Sequence, residues 1–233
     1  MRVIVIKHHE IDDAGFIGAA FEARGAELVT HLAPDDGPFP SLDGADHVVV
    51  LGAIWSVYDR EAIGHWIDEE TAWLRDADQA GVPVLGICFG AQALTAAMGG
   101  QVTRAPRAEI GWTVIESLEP DLIEPGPWME FHHDQCLIPP GARLLARNAV
   151  CAQAFAIGRN LGVQFHPEVD SEQLGRWLQD DDCAADAERH GVGPAALLAA
   201  TAQHEQAAAV RAERLVGVAL RLAADHAISA LSS

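Results

Sequence analysis

Apolar residues gather along this chain in short unbroken runs, separated by stretches in which they recur every three or four positions. Arg2 to Ile6, His47 to Leu51 and Val82 to Ile87 are such runs, and Glu27 to Leu32 looks like a further strand. Strands buried on both faces read this way, because neither side of the pleat meets water. Ala14 to Arg24 is helical in composition and stops at Gly25, and Glu61 to Ala80 reads as one long amphipathic helix closed by Gly81. Pro34 to Gly44 is a loop rich in Pro, Asp and Gly, and a further helix is expected over Ala91 to Met98. Strand and helix alternate with short connections, which predicts an α/β fold: a parallel sheet covered on both faces.

After Gly100 the pattern changes. Trp112 to Ile115 and Cys151 to Ile157 are short and strand-like, and Leu161 to Phe165 is one more apolar strand. From Ser171 the chain reads as helical. Ala195 to Ala230 is alanine-rich with interspersed Arg, Glu, Leu and Val, which predicts one or two helices packed on the domain, a partner-binding helix being the alternative. The expected organisation is therefore a domain at 1–180 and a C-terminal helical extension at 181–233.

Composition narrows the class. The chain has 233 residues, 49% of them hydrophobic and only 6% aromatic, so a large, aliphatic core is expected. Fifteen basic residues face thirty-four acidic ones, a formal charge of −19. Such a surface repels nucleic acid and anionic membranes, so neither is an expected partner. The short apolar opening runs at once into Lys7, His8, His9 and Glu10, which does not make a signal peptide. No apolar stretch approaches the ~20 residues of a membrane helix. The cysteines at 88, 136, 151 and 183 lack CxxC spacing, so neither a zinc site nor a disulfide framework is expected, and a reducing, cytoplasmic setting fits.

The chemistry concentrates at two places. Gly86-Ile87-Cys88-Phe89-Gly90 follows a buried strand and opens a helix, the cysteine version of a nucleophile elbow. Two glycines allow a sharp turn and leave room beside the sulfur, and the helix N-terminus favours thiolate. Read alone, the same segment is also compatible with an ordinary buried cysteine in a strand-to-helix turn. The second place is Val163-Gln164-Phe165-His166-Pro167-Glu168. A thiol needs a base to take its proton and return it to the leaving amine, and an imidazole can do both near neutral pH. Residues two apart on extended chain face one side, so Glu168 can bond the other ring nitrogen of His166.

Together, Gly86-Ile87-Cys88-Phe89-Gly90-Ala91-Gln92 and Val163-Gln164-Phe165-His166-Pro167-Glu168 resemble the signature pair of class I glutamine amidotransferases. In that family the domain occurs in GMP synthetase, anthranilate synthase and carbamoyl phosphate synthetase, and in stand-alone proteins. The resemblance covers roughly residues 1 to 178. It implies a three-layer α/β/α sandwich, flavodoxin-like, with a mostly parallel central sheet, and a triad of Cys88, His166 and Glu168. It also implies attack on a glutamine side-chain amide, release of ammonia, and hydrolysis of a γ-glutamyl thioester, with no cofactor.

Other positions carry over singly. The Phe89 N–H matches one oxyanion donor. The second comes from a loop that usually reads Gly-Gly-Pro and here reads Gly52-Ala53-Ile54, so Ala53 is its candidate donor. Alanine resists positive φ and the missing proline loosens the turn, which leaves open whether this donor is preformed. Gln92 matches a residue that contacts the bound glutamine. Glu109 to Trp112 resembles a structural segment, and Trp128 to Asp134 a loop flanking the substrate, with His133 and Asp134 as contacts. A metal held by His132, His133 and Asp134 is not expected, for want of a third well-spaced ligand group. His8 and His9 follow the first strand, either lining the pocket or lying on the surface.

The expected partner is a small γ-glutamyl compound, glutamine or a conjugate. Some 55 residues after the domain are too few for a synthetase domain, so an ammonia acceptor would be a separate synthase protein. The alternatives are a stand-alone γ-glutamyl hydrolase, with Trp55 and Tyr58 walling a larger pocket, and a non-catalytic binding subunit.

Overall fold

The computed structural model describes residues 1–231. The chain runs β1 (Arg2–Lys7), α1 (Gly15–Glu22), β2 (Glu27–Leu32), β3 (His47–Val50), α2 (Arg60–Ile63), α3 (Ile67–Ala80), β4 (Val84–Ile87), α4 (Phe89–Ala97), β5 (Gln101–Thr113), β6 (Glu116–Ser117), β7 (Trp128–Leu137), β8 (Arg143–Arg147), β9 (Ala152–Ile157), β10 (Asn160–Val163), α5 (Ser171–Trp177), α6 (Asp181–Arg189) and α7 (Pro194–Leu231). Eight strands form one sheet in the order β2-β1-β3-β4-β10-β9-β8-β6. The ladders from β2 through β10 are parallel, and those joining β10, β9, β8 and β6 are antiparallel.

Alternate residues of the parallel strands serve opposite cores. Val3, Val5, Val49, Leu85 and Ile87 pack with Ile17 and Phe21 of α1 and with Leu215, Val216 and Ala219 of α7. Ile4, Ile6, Val48, Val50 and Val84 pack with Ile67, Trp73 and Leu74 of α3 and with Ala93 and Leu94 of α4. This is why those strands read as unbroken apolar runs, and why the molecule has three layers. The alanine-rich C-terminal stretch is one helix, α7, whose apolar residues complete the first core. Among the described residues no helix is long and apolar enough to cross a membrane.

Two expectations need correcting. The helix expected over residues 61–80 is two helices. The side chain of Asp59 caps α2, accepting from Ala62 N–H at 3.1 Å, and the chain breaks at Gly64 so that Trp66 can enter the core before α3 begins. Trp128 to Asp134 is not a loop but most of β7, paired antiparallel with β5 in a separate two-stranded sheet. Its buried face carries Glu130, His132 and Asp134, reversing the usual apolar-inside alternation, so no apolar pattern announced the strand.

The elbow is positioned by close backbone approach. A Cβ on Gly90 would lie 2.1 Å from the Val50 carbonyl oxygen, and one on Gly86 would lie 2.6 Å from that of Gly90. Neither neighbour can yield, because both are backbone in the sheet or in α4. Gly90→Ala is therefore expected to cost about 3 kcal/mol or more. That should appear as a fall in melting temperature of roughly 6–12 °C for a domain of this size. An unchanged melt would show that β3 and α4 are not in such contact.

Candidate active site

Cys88 sits between β4 and α4 at φ 52° and ψ −108°, and among the described residues it is the one non-glycine with positive φ. Such strain costs on the order of 1–3 kcal/mol and persists only where the surroundings over-determine it. Here Cys88 N–H donates to Val163 O at 2.8 Å, and Gly90 N–H to Leu51 O at 3.1 Å. These bonds tie the elbow to β10 on one side and to the end of β3 on the other. The sulfur lies at the N-terminus of α4, where Phe89 is the first helical residue and its N–H has no intrahelical acceptor.

His166 and Glu168 lie just beyond β10, both buried, with His166 Nδ1 2.7 Å from Glu168 Oε1. Their two-residue spacing on extended chain puts them on one side, as the sequence suggested. His166 N–H donates to Met129 O at 2.7 Å, fixing the backbone under the ring, and Trp177 packs edge-on at 5.1 Å. The remaining nitrogen, Nε2, is buried without a hydrogen-bond partner among the described residues. Burial alone would lower the affinity of this ring for a proton. The Glu168 carboxylate and the charge on Cys88 outweigh it, holding the ring well above its ordinary range.

Gln164 belongs to the same row and was assigned no role from sequence. Its Nε2 donates to Cys88 Sγ at 3.6 Å, and its Oε1 accepts from Gln92 Nε2 at 3.4 Å. The two-residue repeat of Gln164, His166 and Glu168 was the signal that could have found it. Gln92 is buried, bonded to Gln164, and reaches the cleft.

The cleft above the sulfur is about 500 Å³. Gly52, Ala53, Cys88, Phe89, His133 and Asp134 all line it, so every site residue expected from sequence except the buried Glu168 reaches its wall. A Cβ on Gly52 would meet His166 Cε1 at 3.0 Å, so a larger residue there would press on the ring. Ala53 is not at positive φ, so its side chain does not strain the turn. Asp134 accepts from Tyr58 Oη at 2.8 Å and from Ser56 Oγ, anchoring the far end of the same loop. His133 Nε2 lies 2.6 Å from Asp186 of α6. Asp180, Asp182, Asp186 and Arg189, which sequence reading did not place at the site, form the outer rim. Asp12 also faces the cleft and accepts from Trp177 Nε1 at 2.8 Å.

His9 lines the cleft, whereas His8 is buried behind it. His132 and His133, adjacent on a strand, point to opposite faces and do not converge. His132 turns inward, with Nδ1 2.9 Å from Asp134 O. Its Nε2 lies 3.2 Å from Glu130 and 3.4 Å from Glu109, ion-pair distances without hydrogen-bond alignment. Donors of metal-ligating type come together at Glu109, His132 and Cys151 and at His133, Asp186 and His190. The first group already satisfies its charges internally: Glu109 accepts from Asn148 at 2.8 Å and from Gln153 at 3.0 Å and pairs with His132.

A family model described as glutamine amidotransferase class-I matches residues 19–183. A GMP synthase [glutamine-hydrolyzing] from Aeropyrum pernix is 35% identical over 193 residues, which is 73% of this chain and 36% of that protein. The chain spans about a third of the length of such curated relatives. A glutamine amidotransferase from Thermotoga maritima shares the fold with a TM-score of 0.85 at 25% identity, over 96% of this chain and 98% of its own. A glutamine amido transferase from Methylobacillus flagellatus does so with a TM-score of 0.84 at 23% identity, over 95% and 94%.

The His132 cluster generates a stability prediction. Burial would lower this ring's pKa, but the facing carboxylates push it up to about 10 from an ordinary 6.5. A raised folded pKa contributes stability in full below the unfolded value, and that contribution is lost as pH rises through the folded one. Between about pH 6.5 and 10 the melting temperature should therefore fall, and in His132→Gln the fall should be shallower. That variant should also be less stable by roughly 3–5 kcal/mol, because buried carboxylates lose their partner. Equal slopes in a pH series of melts would contradict this account.

Proposed function

This chain belongs to the class-I glutamine amidotransferase family, and from that premise we propose that it hydrolyses a γ-glutamyl amide with Cys88 as nucleophile. The observation that carries the proposal is a strained cysteine at a helix N-terminus beside a histidine whose Nε2 is free and whose Nδ1 is held by Glu168 at 2.7 Å. The other three cysteines offer no competing nucleophile. Burial, with nearby acidic groups, pushes Cys136 up to about 12 and Cys183 up to about 11, and raises Cys151 as well. Those thiols are inert at neutral pH.

In the proposed reaction the Cys88 proton passes to His166, and the thiolate attacks the amide carbon. The resulting oxyanion accepts from Phe89 N–H and Ala53 N–H. His166 Nε2 returns its proton to the leaving nitrogen, so ammonia departs from glutamine and a γ-glutamyl thioester remains. Water then gives a proton to His166 and attacks the thioester carbon. Glutamate leaves, and the proton returns to sulfur. Glu168 keeps the ring in the tautomer and orientation both halves need.

Glutamine is the simplest substrate, and a separate synthase-type protein the corresponding acceptor of ammonia. The likeness to a glutamine-hydrolysing GMP synthase supports that assignment. A γ-glutamyl conjugate with a larger leaving amine is the second reading. It rests on the cleft volume of about 500 Å³, within the range that holds drug-sized ligands, with Trp55 and Trp177 in its walls. Tyr58 does not line the cleft and instead holds Asp134.

Cys88→Ala and His166→Ala should bring γ-glutamyl amide hydrolysis to the blank, while Glu168→Gln keeps measurable turnover. Removing the carboxylate withdraws support from the imidazolium and lowers its pKa. The alkaline limb of the kcat/KM profile should therefore move to lower pH in Glu168→Gln. An unmoved limb would place Glu168 outside the reaction.

A panel of γ-glutamyl amides decides between the readings. If the larger pocket is used, an amide with a bulky leaving group is cleaved faster than glutamine by this protein alone. If glutamine is best and a synthase partner raises its rate by roughly 10²-fold, the amidotransferase reading holds.

A further inference from the structure

The buried ion pair behind the cleft takes no part in the proposed proton transfers. His8, just past β1, and Glu70, on α3, both have side chains with 0% exposure. Desolvating two charges costs several kcal/mol that their attraction offsets only with good geometry and further hydrogen bonds. The geometry is good. His8 Nε2 lies 3.1 and 3.2 Å from the two Glu70 oxygens, and Nδ1 lies 3.1 Å from the Gly52 carbonyl oxygen. A carbonyl and a carboxylate are both acceptors, so both ring nitrogens donate and the ring is an imidazolium. Burial opposes that charge, yet Glu70 and the Gly52 carbonyl outweigh it and raise the ring's pKa. Trp66 stacks on the ring at 5.4 Å and Phe89 meets it edge-on at 4.8 Å, so it cannot turn.

Gly52 is the residue before the expected second oxyanion donor. Among the described residues the cis peptides are Ala33-Pro34 and Gly126-Pro127, so the Gly52-Ala53 peptide is trans. A trans peptide points its C=O and N–H in opposite directions. A Gly52 carbonyl anchored on a ring buried behind the cleft turns the Ala53 N–H away from that ring. Gly52, Ala53, Cys88 and Phe89 line the cavity on the other side. The reverse orientation would aim the Gly52 carbonyl at the developing oxyanion and leave a buried imidazolium nitrogen without its acceptor.

We infer that His8 is a positioning residue: held by Glu70, it locks the Gly52-Ala53 peptide with the Ala53 N–H facing the cleft, so the oxyanion site is preformed without the glycine and proline that usually shape this loop. The inference rests on Cys88 acting as nucleophile through an oxyanion intermediate. The ring's edge contact with Phe89 couples it to the other proposed donor as well.

The test separates the two asparagine-family replacements by reach. In His8→Asn the amide nitrogen stands where Nδ1 stood and can still donate to Gly52. In His8→Gln it extends toward Glu70 and leaves the Gly52 carbonyl without its donor. His8→Phe removes both. Turnover of L-glutamine and γ-glutamyl-p-nitroanilide is measured beside the rate of Cys88 alkylation by iodoacetamide, which needs thiolate but no oxyanion site. His8→Gln and His8→Phe should lose about 10²–10³ in kcat, the worth of one oxyanion donor. Their KM should stay within about 3-fold, the pattern of an interaction made only in the transition state. Alkylation should be unchanged, and His8→Asn should keep at least about a tenth of wild-type kcat. The inference is overturned if His8→Gln keeps full activity, if Asn is no better than Gln, or if alkylation falls in step with turnover. The Asn–Gln comparison stands even if the Phe variant does not fold. If the wild type shows no turnover that Cys88→Ala abolishes, the nucleophile reading fails and this inference falls with it. Cys88-dependent turnover that survives in His8→Gln removes the inference alone.

Discussion

Around residue 88 the backbones of three strands and one helix meet with no space for side chains between them. Gly90 lies against the Val50 carbonyl and Gly86 against Gly90, while Cys88 N–H is bonded to Val163 and Gly90 N–H to Leu51. The register of the sheet does the rest. Val50 is level with Gly86, and Val163 with Ile87. Residues just past those three strand ends therefore converge, and they are Gly52, Cys88 and His166. A closer side chain on any of the glycines would separate the strands and take the site apart. The positive φ of Cys88 is tolerated because so many neighbouring contacts hold it.

The charges nearest the site are held in buried pairs. The chain carries a formal charge of −19, yet around the sulfur are three imidazole rings, each paired with carboxylate. His166 is held by Glu168, His8 by Glu70, and His132 by Glu109 and Glu130. The charge on Cys88 is among the influences that raise both His166 and His132. Each carboxylate fixes a ring's orientation and raises its affinity for a proton. Pairing of this kind lets ionisable rings stay buried beside the cleft without an uncompensated charge. His8 meets the backbone of the loop that departs from the usual glycine-rich sequence, and there the rigidity comes from side chains.

The outer cleft is built differently. Its rim comes from the loop after β3, from β7 and from α6, joined by Asp134 with Ser56 and Tyr58 and by His133 with Asp186. The matched family segment ends at residue 183, within α6. Gly52, Ala53, Cys88, His166 and Glu168 thus lie inside the matched segment, which starts at residue 19, whereas His8 precedes it and part of the rim follows it. A pocket arranged this way can keep one chemistry and vary its leaving group.

Much was legible in the sequence because it depends on neighbours along the chain. Unbroken apolar runs mark strands covered on both faces, paired glycines around Cys88 mark the elbow, and a two-residue spacing puts His166 and Glu168 side by side. The break at Gly64 escaped because amphipathic periodicity continues across it, and only Trp66 seeking the core shows that the helix stops. The strand at Trp128–Leu137 escaped because its buried face is polar, and that face is acceptable only opposite the donors that other strands bring. Gln164 needed its contact with Cys88 to acquire a meaning. His8 and Glu70 lie 62 residues apart, and no local pattern pairs them. Sequence periodicity reports which way a side chain faces, whereas which groups meet across the sheet depends on strand order and register. The sequence by itself determined the family and the elbow that carries Cys88; the tertiary structure decided how the buried charges are held and which backbone groups they meet.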